Sequence, residues 1–130
     1  MKAVTAPLVL IVDDNEKNVK LARDVLRFAG FRTLEARSGG EGLSLAVEHL
    51  PDVILMDIRL PDMEGTTAFR NLRNEPRTAR IPVVAVTSFA MKGDRERFLE
   101  EGFDGYLEKP ISVLEFPDQV RSYCEPKEAP

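Results

Sequence analysis

Leu8-Val9-Leu10-Ile11-Val12-Asp13-Asp14 sets an apolar run directly against an acidic pair. A continuous apolar run of this length, rich in β-branched residues, reads as a strand buried on both faces, as in a parallel sheet. Val53-Ile54-Leu55-Met56 repeats the pattern and ends in Asp57. Val83-Val84-Ala85-Val86 repeats it again and ends in Thr87. Phe31-Arg32-Thr33-Leu34-Glu35-Ala36 alternates, as an edge strand does, and Gly105-Tyr106-Leu107 is a shorter, weaker run.

Helical periodicity fills the intervals. Val19, Ala22, Val25, Leu26 and Ala29 share one helical face, with Gly30 where a C-terminal cap belongs. Ser38-Gly39-Gly40-Glu41 matches a capping box ahead of Leu43, Ala46, Val47 and Leu50. Phe69 and Leu72 mark a third helix, and Phe98 and Leu99 a fourth that ends at Gly102. The segment from Phe89 to Phe98 carries a weak apolar stripe with Gly93 inside it, so the fourth helix is expected to be the mobile one. Ser112-Val113-Leu114-Glu115 is a second capping box. Pro117 lies past its first turn, where proline costs up to ~3 kcal/mol, so the fifth helix is expected to start late, near Phe116, or to bend there. A strand–helix unit repeated five times, with right-handed crossovers, predicts a single doubly wound (βα)5 flavodoxin-like α/β domain. Its sheet would be parallel and five-stranded, of order 2-1-3-4-5, with helices on both faces.

The 130 residues correspond to one domain, expected over 8–124, with loose ends at 1–7 and 125–130. Lys and Arg total 18 against 22 Asp and Glu, a net charge of −4, which argues against a nucleic-acid partner. One Cys excludes an internal disulfide, and one Cys with one His excludes a thiolate or imidazole zinc cluster. No apolar run approaches the ~18–20 residues that span a bilayer. Met1-Lys2-Ala3-Val4-Thr5-Ala6-Pro7 offers no signal-peptide core. These features predict a soluble cytoplasmic protein.

In such a sheet, ligands bind at the carboxyl ends of the strands where the order reverses, between the first and third strands. That rule alone brings Asp13, Asp14 and Asp57 into one corner. Two like charges ~4 Å apart repel by about 4 kcal/mol at an effective dielectric near 20. A hard divalent cation compensates, and an all-oxygen site suits Mg²⁺. The plainer alternative is that Asp13 and Asp14 only cap the first helix. Thr87 and Lys109, at the ends of the fourth and fifth strands, would supply a hydroxyl donor and a cation to an anionic group on Asp57. Taken singly, Thr87 reads as a strand-end hydroxyl bonded to local backbone, and Lys109 as a solvated lysine.

On these residues the chain resembles the receiver domain of two-component response regulators, from Leu8 to about Tyr123. The resemblance rests on Asp13-Asp14, on Val53-Ile54-Leu55-Met56-Asp57-Ile58-Arg59-Leu60-Pro61-Asp62-Met63-Glu64-Gly65, on Thr87 and on Lys109-Pro110. Pro82-Val83-Val84-Ala85-Val86-Thr87-Ser88-Phe89-Ala90-Met91-Lys92-Gly93-Asp94 and Lys109-Pro110-Ile111-Ser112-Val113 resemble most the DivK type, stand-alone regulators of cell division and polarity. The resemblance implies that Asp57 accepts a phosphoryl group from a sensor histidine kinase or phosphotransfer protein. It implies Mg²⁺ held by Asp14, Asp57 and the main-chain carbonyl of Arg59, with Asp13 acting through a water. It implies a cis Lys109–Pro110 bond, Lys109 paired with phosphoryl oxygens, and Thr87 and Tyr106 as switch residues, with Tyr106 turning inward.

Signalling would then run through protein–protein contact to a downstream effector, without membrane insertion. The expected surface is the fourth helix, fifth strand and fifth helix, with Phe89, Met91, Tyr106 and Phe116 as candidate contacts. The chain is expected to be a monomer or weak dimer, and no enzyme beyond self-phosphorylation and its reversal. A phosphorelay carrier is the alternative within this class. A Mg²⁺-dependent phosphatase with an aspartate nucleophile would need an acid two residues after Asp57, where Arg59 stands. A flavin module would need a phosphate loop where Asp13-Asp14 would repel the phosphate. His49 and Cys124 read as bystanders, and Gly39-Gly40 and Gly42 follow the edge strand, so they form no dinucleotide loop.

Overall fold

A computed structural model describes residues 6–88 and 91–124. Five strands alternate with five helices: β1 (Leu8–Val12), α1 (Glu16–Phe28), β2 (Arg32–Ala36), α2 (Gly39–His49), β3 (Val53–Asp57), α3 (Gly65–Asn74), β4 (Val83–Thr87), α4 (Asp94–Glu101), β5 (Gly105–Glu108) and α5 (Phe116–Cys124). All pairings are parallel and the order is β2-β1-β3-β4-β5, as the sequence predicts. The apolar strands are buried on both sides because successive side chains point to opposite faces. Leu10, Val12, Ile54, Met56, Val83 and Ala85 pack with Ala46, Phe69, Leu72 and Phe98 of α2, α3 and α4. Val9, Ile11, Val53, Leu55, Val84 and Val86 pack with Val19, Leu26, Phe116 and Val120 of α1 and α5. Each fully buried Val, Leu or Ile contributes about 1.5–3 kcal/mol, so the two layers hold the sheet between them.

Helix ends depart from the sequence reading in two places. The Ser38 hydroxyl accepts from the Glu41 N–H at 3.1 Å, but the Glu41 carboxylate accepts from the N–H of Arg37, at 2.6 Å, so the capping box closes one residue early. Gly93 is not inside α4. It is the N-cap, at φ +88°, a left-handed conformation that cannot continue a right-handed helix. Phe89 lies outside the described residues.

α5 does start late, at Phe116. Pro117 then falls in the first turn, where its missing N–H has no intrahelical partner to lose. The Ser112 turn survives ahead of the helix: Glu115 N–H donates to the Ser112 hydroxyl at 3.3 Å and Phe116 N–H to the Ser112 carbonyl at 2.8 Å. This geometry corrects two expected partner contacts. Phe116, Val120 and Tyr123 fall on the face of α5 that meets the sheet, and Phe116 is only 1% exposed. Tyr106 is also in the core, at 4%. Neither ring offers surface to a partner in this conformation, whereas Met91 is 74% exposed.

Truncating a buried Phe costs about 3–5 kcal/mol through lost transfer energy and the cavity left behind. Phe116→Ala should lower the unfolding free energy by that amount in urea titrations. A loss below about 1 kcal/mol would return Phe116 to the surface.

Candidate functional site

Strand register assembles the acidic edge. Val12 pairs with Met56, so Asp13 and Asp57 emerge side by side from β1 and β3. Asp57 pairs with Val86, and Thr87 with Glu108, so Thr87 and Lys109 end their strands at the same edge. One oxygen from each of Asp13, Asp14 and Asp57 lies within 4.8 Å of the others. Lys109 Nζ reaches Asp13 Oδ2 at 2.6 Å and Asp57 Oδ2 at 3.3 Å. The Lys109 N–H donates to the Thr87 carbonyl at 2.8 Å, which fixes the backbone that aims this side chain.

The three carboxylates differ in what already holds them. Asp13 is buried, with Oδ1 accepting from the Asn15 N–H at 2.9 Å and Oδ2 engaged by Lys109. The N-cap of α1 is Asn15, which accepts from Lys17 and Asn18, so helix capping does not account for Asp13 and Asp14. Asp14 is exposed, and no hydrogen bond or ion pair to a described residue holds it. Asp57 is half-buried and accepts from the Arg59 N–H at 3.2 Å. Burial pushes the Asp57 carboxyl above the usual range and the Asp13 charge adds to this, while Lys109 and the Arg59 N–H pull the other way.

The loop over residues 58–64 lies beside this edge. Its ends are joined by an antiparallel bridge between Arg59 and Glu64 and by Gly65 N–H donating to the Ile58 carbonyl at 2.6 Å. Gly65 is required, because a Cβ there would collide with the Asp57 carbonyl oxygen. An open cleft of about 290 Å³ is lined by Asp14, Asp57, Arg59, Ser88 and Lys109, among others. Three oxygen donors face one ammonium, so the site is short of positive charge and fits a hard divalent cation.

Thr87 closes β4 and is buried. Tyr106 stacks on Phe98 with centroids 5.9 Å apart, already turned inward. Its hydroxyl has no hydrogen-bond partner among the described residues, and burial, with the Asp94 and Glu108 charges, raises its pKa. The Lys109–Pro110 bond is cis. Sequence reasoning missed Asn15 and Asp62. Asn15 was legible as a helix-starting residue immediately before Glu16, but the adjacent aspartates drew the assignment.

Residues 9–121 match the family model for the response regulator receiver domain. The chain belongs to that family. The receiver domain is 50% identical over 115 residues to the polar-differentiation response regulator DivK of Brucella ovis, covering 88% of this chain and 94% of the relative. DivK of Brucella anthropi is 49% identical over the same length. A CheY-like receiver domain protein from Methanospirillum hungatei superposes with a TM-score of 0.81 at 27% identity, over 92% of this chain and 94% of that one. The receiver domain of a sensor histidine kinase from Pseudomonas aeruginosa, with a magnesium ion in its active site cleft, gives 0.83 at 32% identity, over 92% and 98%. Receiver domains are two-component signalling modules rather than classical enzymes, and neither the phosphatase nor the flavin reading is favoured. Among the described residues no helix is long and apolar enough to cross a membrane.

Asp57 also sets a pH signature in the metal-free protein. A carboxyl with a raised folded pKa lends stability that is fully present below its unfolded pKa and is lost as pH rises through the folded value. Asp57→Asn should therefore be more stable than wild type at neutral pH without divalent cations, with the gap closing toward acid. Equal urea midpoints at both pH values would contradict the raised pKa.

Proposed function

We propose that Asp57 is the phosphoryl acceptor of this receiver domain, with a sensor histidine kinase or a phosphotransfer protein as donor. The carrying observation is the cluster of Asp13, Asp14 and Asp57 faced by a single close ammonium, Lys109, at the carboxyl edge. A carboxylate attacks a phosphoryl dianion slowly unless the charge between them is neutralised. An Asp57 oxygen forms the bond to phosphorus as the bond from phosphorus to the donor imidazole breaks, and the electron pair leaves on that imidazole. Lys109 already lies beside Asp57 and pairs with the incoming phosphoryl oxygens. Asp14, Asp57 and the main-chain carbonyl of Arg59 would hold Mg²⁺, with Asp13 acting through a water. The ion supplies neutralisation of the charge on the transferring group. Ser88 is small, which leaves the cleft open on the β4 side.

Aspartyl phosphate adds up to about one further negative charge and new acceptor oxygens beside Thr87. The Thr87 hydroxyl, at the end of the neighbouring strand β4, answers it, and Tyr106 and α4 respond behind it as the two-state element. Exposed Met91 and Leu99 leave apolar surface on the α4 side for a protein effector. Leu21 on α1 and Val113 and Leu114 between β5 and α5 are exposed apolar side chains that would receive the donor. The likeness to DivK favours an adaptor in polar differentiation over a phosphorelay carrier.

Intact-mass measurement with Mg²⁺ and acetyl phosphate tests the acceptor. Wild type should gain one phosphoryl group, Asp57→Asn none, and chelation of Mg²⁺ should abolish the gain. Asp14→Asn should weaken Mg²⁺ binding about tenfold or more, measured by calorimetry. An adduct that persists in Asp57→Asn would move the acceptor elsewhere.

A further inference from the structure

The glycine pair after β2 has no role in the site described above, yet its contacts lead back to it. Asp62, near the tip of the loop over residues 58–64, spans to the N-terminus of α2. Its Oδ1 accepts from the Gly39 N–H at 2.8 Å and its Oδ2 from the Gly40 N–H at 2.9 Å. Those are two of the N–H groups that the first turn of a helix leaves without an internal partner. Together they hold the Asp62 carboxyl below the usual carboxylate range. The next residue, Met63, fills the space that a side chain at Gly39 would take: a Cβ there would lie 2.6 Å from Met63 Sδ. Gly39-Gly40 is thus a seat for Asp62 and Met63.

The same turn of α2 is also registered against β1. A Cβ on Gly42 would lie 3.0 Å from a Val12 methyl, and Val12 immediately precedes Asp13. The first turn of α2 therefore contacts both segments that build the acidic edge: β1, which leads into Asp13 and Asp14, and the loop that carries Arg59. The base of the loop is fixed by the Arg59–Glu64 bridge and the Gly65–Ile58 bond. Beyond that base, the Asp62 carboxylate ties the loop to α2 through two hydrogen bonds, and Met63 Sδ accepts a weaker one from Asn71 Nδ2 of α3 at 3.9 Å.

We infer that Asp62 is a positioning residue, whose clamp on Gly39 and Gly40 sets how tightly the acidic edge takes Mg²⁺ by fixing the loop that presents the Arg59 carbonyl. This rests on the Mg²⁺ reading above. Groups that orient a metal's ligands without touching the metal commonly change affinity about 10–100-fold when removed. By reciprocity, whatever Asp62 does for the ion, the ion does for the clamp, so Mg²⁺ should tighten the bonds at Gly39 and Gly40.

The test is a Mg²⁺ titration of the full chain by calorimetry, alongside phosphorylation by acetyl phosphate across Mg²⁺ concentration. Asp62→Ala should raise the Mg²⁺ Kd about tenfold and raise the half-saturating Mg²⁺ in phosphorylation equally. Its maximal rate at saturating Mg²⁺ should stay within about twofold of wild type, because only ligand placement is lost. Asp62→Asn keeps one carbonyl oxygen for one N–H and should fall between. In wild type, Mg²⁺ should slow hydrogen exchange at the Gly39 and Gly40 amides. An Asp62→Ala protein with reduced melting temperature and wild-type Kd would overturn the inference, leaving Asp62 as a helix cap only. If Asp62→Ala does not fold, an unchanged Kd in Asp62→Asn overturns it instead. Wild type that fails to bind Mg²⁺ would overturn the underlying reading. Weakening in Asp14→Asn without weakening at Asp62 would overturn the clamp alone.

Discussion

The ammonium of Lys109, 2.6 Å from Asp13 and 3.3 Å from Asp57, ties the end of β5 to the end of β1 across β4 and β3. Its side chain and those two carboxylates are each less than 15% exposed, at 9%, 6% and 14%. Burial at that level makes Lys109 obligatory: removing it would leave both carboxylates without a counter-charge, and stripping the partner from a buried charge costs about 3–5 kcal/mol. One ammonium leaves net negative charge among the three carboxylates, a donor set that suits a hard divalent ion. Fold and site are therefore one construction, since the same strand order that packs the core brings Lys109 to the aspartates.

That arrangement is poor for stability taken alone. Asp57 is desolvated beside a like charge, and its raised pKa records the penalty. The two apolar layers above and below the sheet supply the compensating stability. Gly65 shows the same division of labour: it gives up the helix propensity of a side chain at the start of α3 so that the loop can pass close to the Asp57 backbone.

What was legible in the sequence was local or periodic. Strands buried on both faces announce themselves as Leu8–Val12 and Val83–Thr87 do, and the rule about carboxyl ends then groups Asp13, Asp57, Thr87 and Lys109 without a motif. Pro117 placed the start of α5 because its restriction is covalent. Phe116 was misassigned as surface, although Phe116, Val120 and Tyr123 are spaced at i, i+4 and i+7, the signature of a core-facing stripe. The Asp62 clamp was not legible. It joins residues 22 and 23 positions apart through side chain and backbone, and no periodicity encodes such a contact.

The weakest element lies next to the place where charge would change. α4 has eight residues, a glycine N-cap with no side-chain hydrogen bond, and Glu100 and Glu101 at the end where a helix dipole favours cations. Its buried residues are Asp94 and Phe98. Phe98 is also the ring on which Tyr106 stacks, and the buried Tyr106 hydroxyl has no hydrogen-bond partner among the described residues. Among the described residues, ring packing is what holds Tyr106 inward. Phe98 of α4 and Tyr106 of β5 are thus packed on one another, so the helix and the tyrosine share one contact. A helix anchored this lightly can open at far less than the global unfolding free energy. The acidic edge differs in kind: Lys109 ties the end of β5 to the ends of β1 and β3 through buried ion pairs.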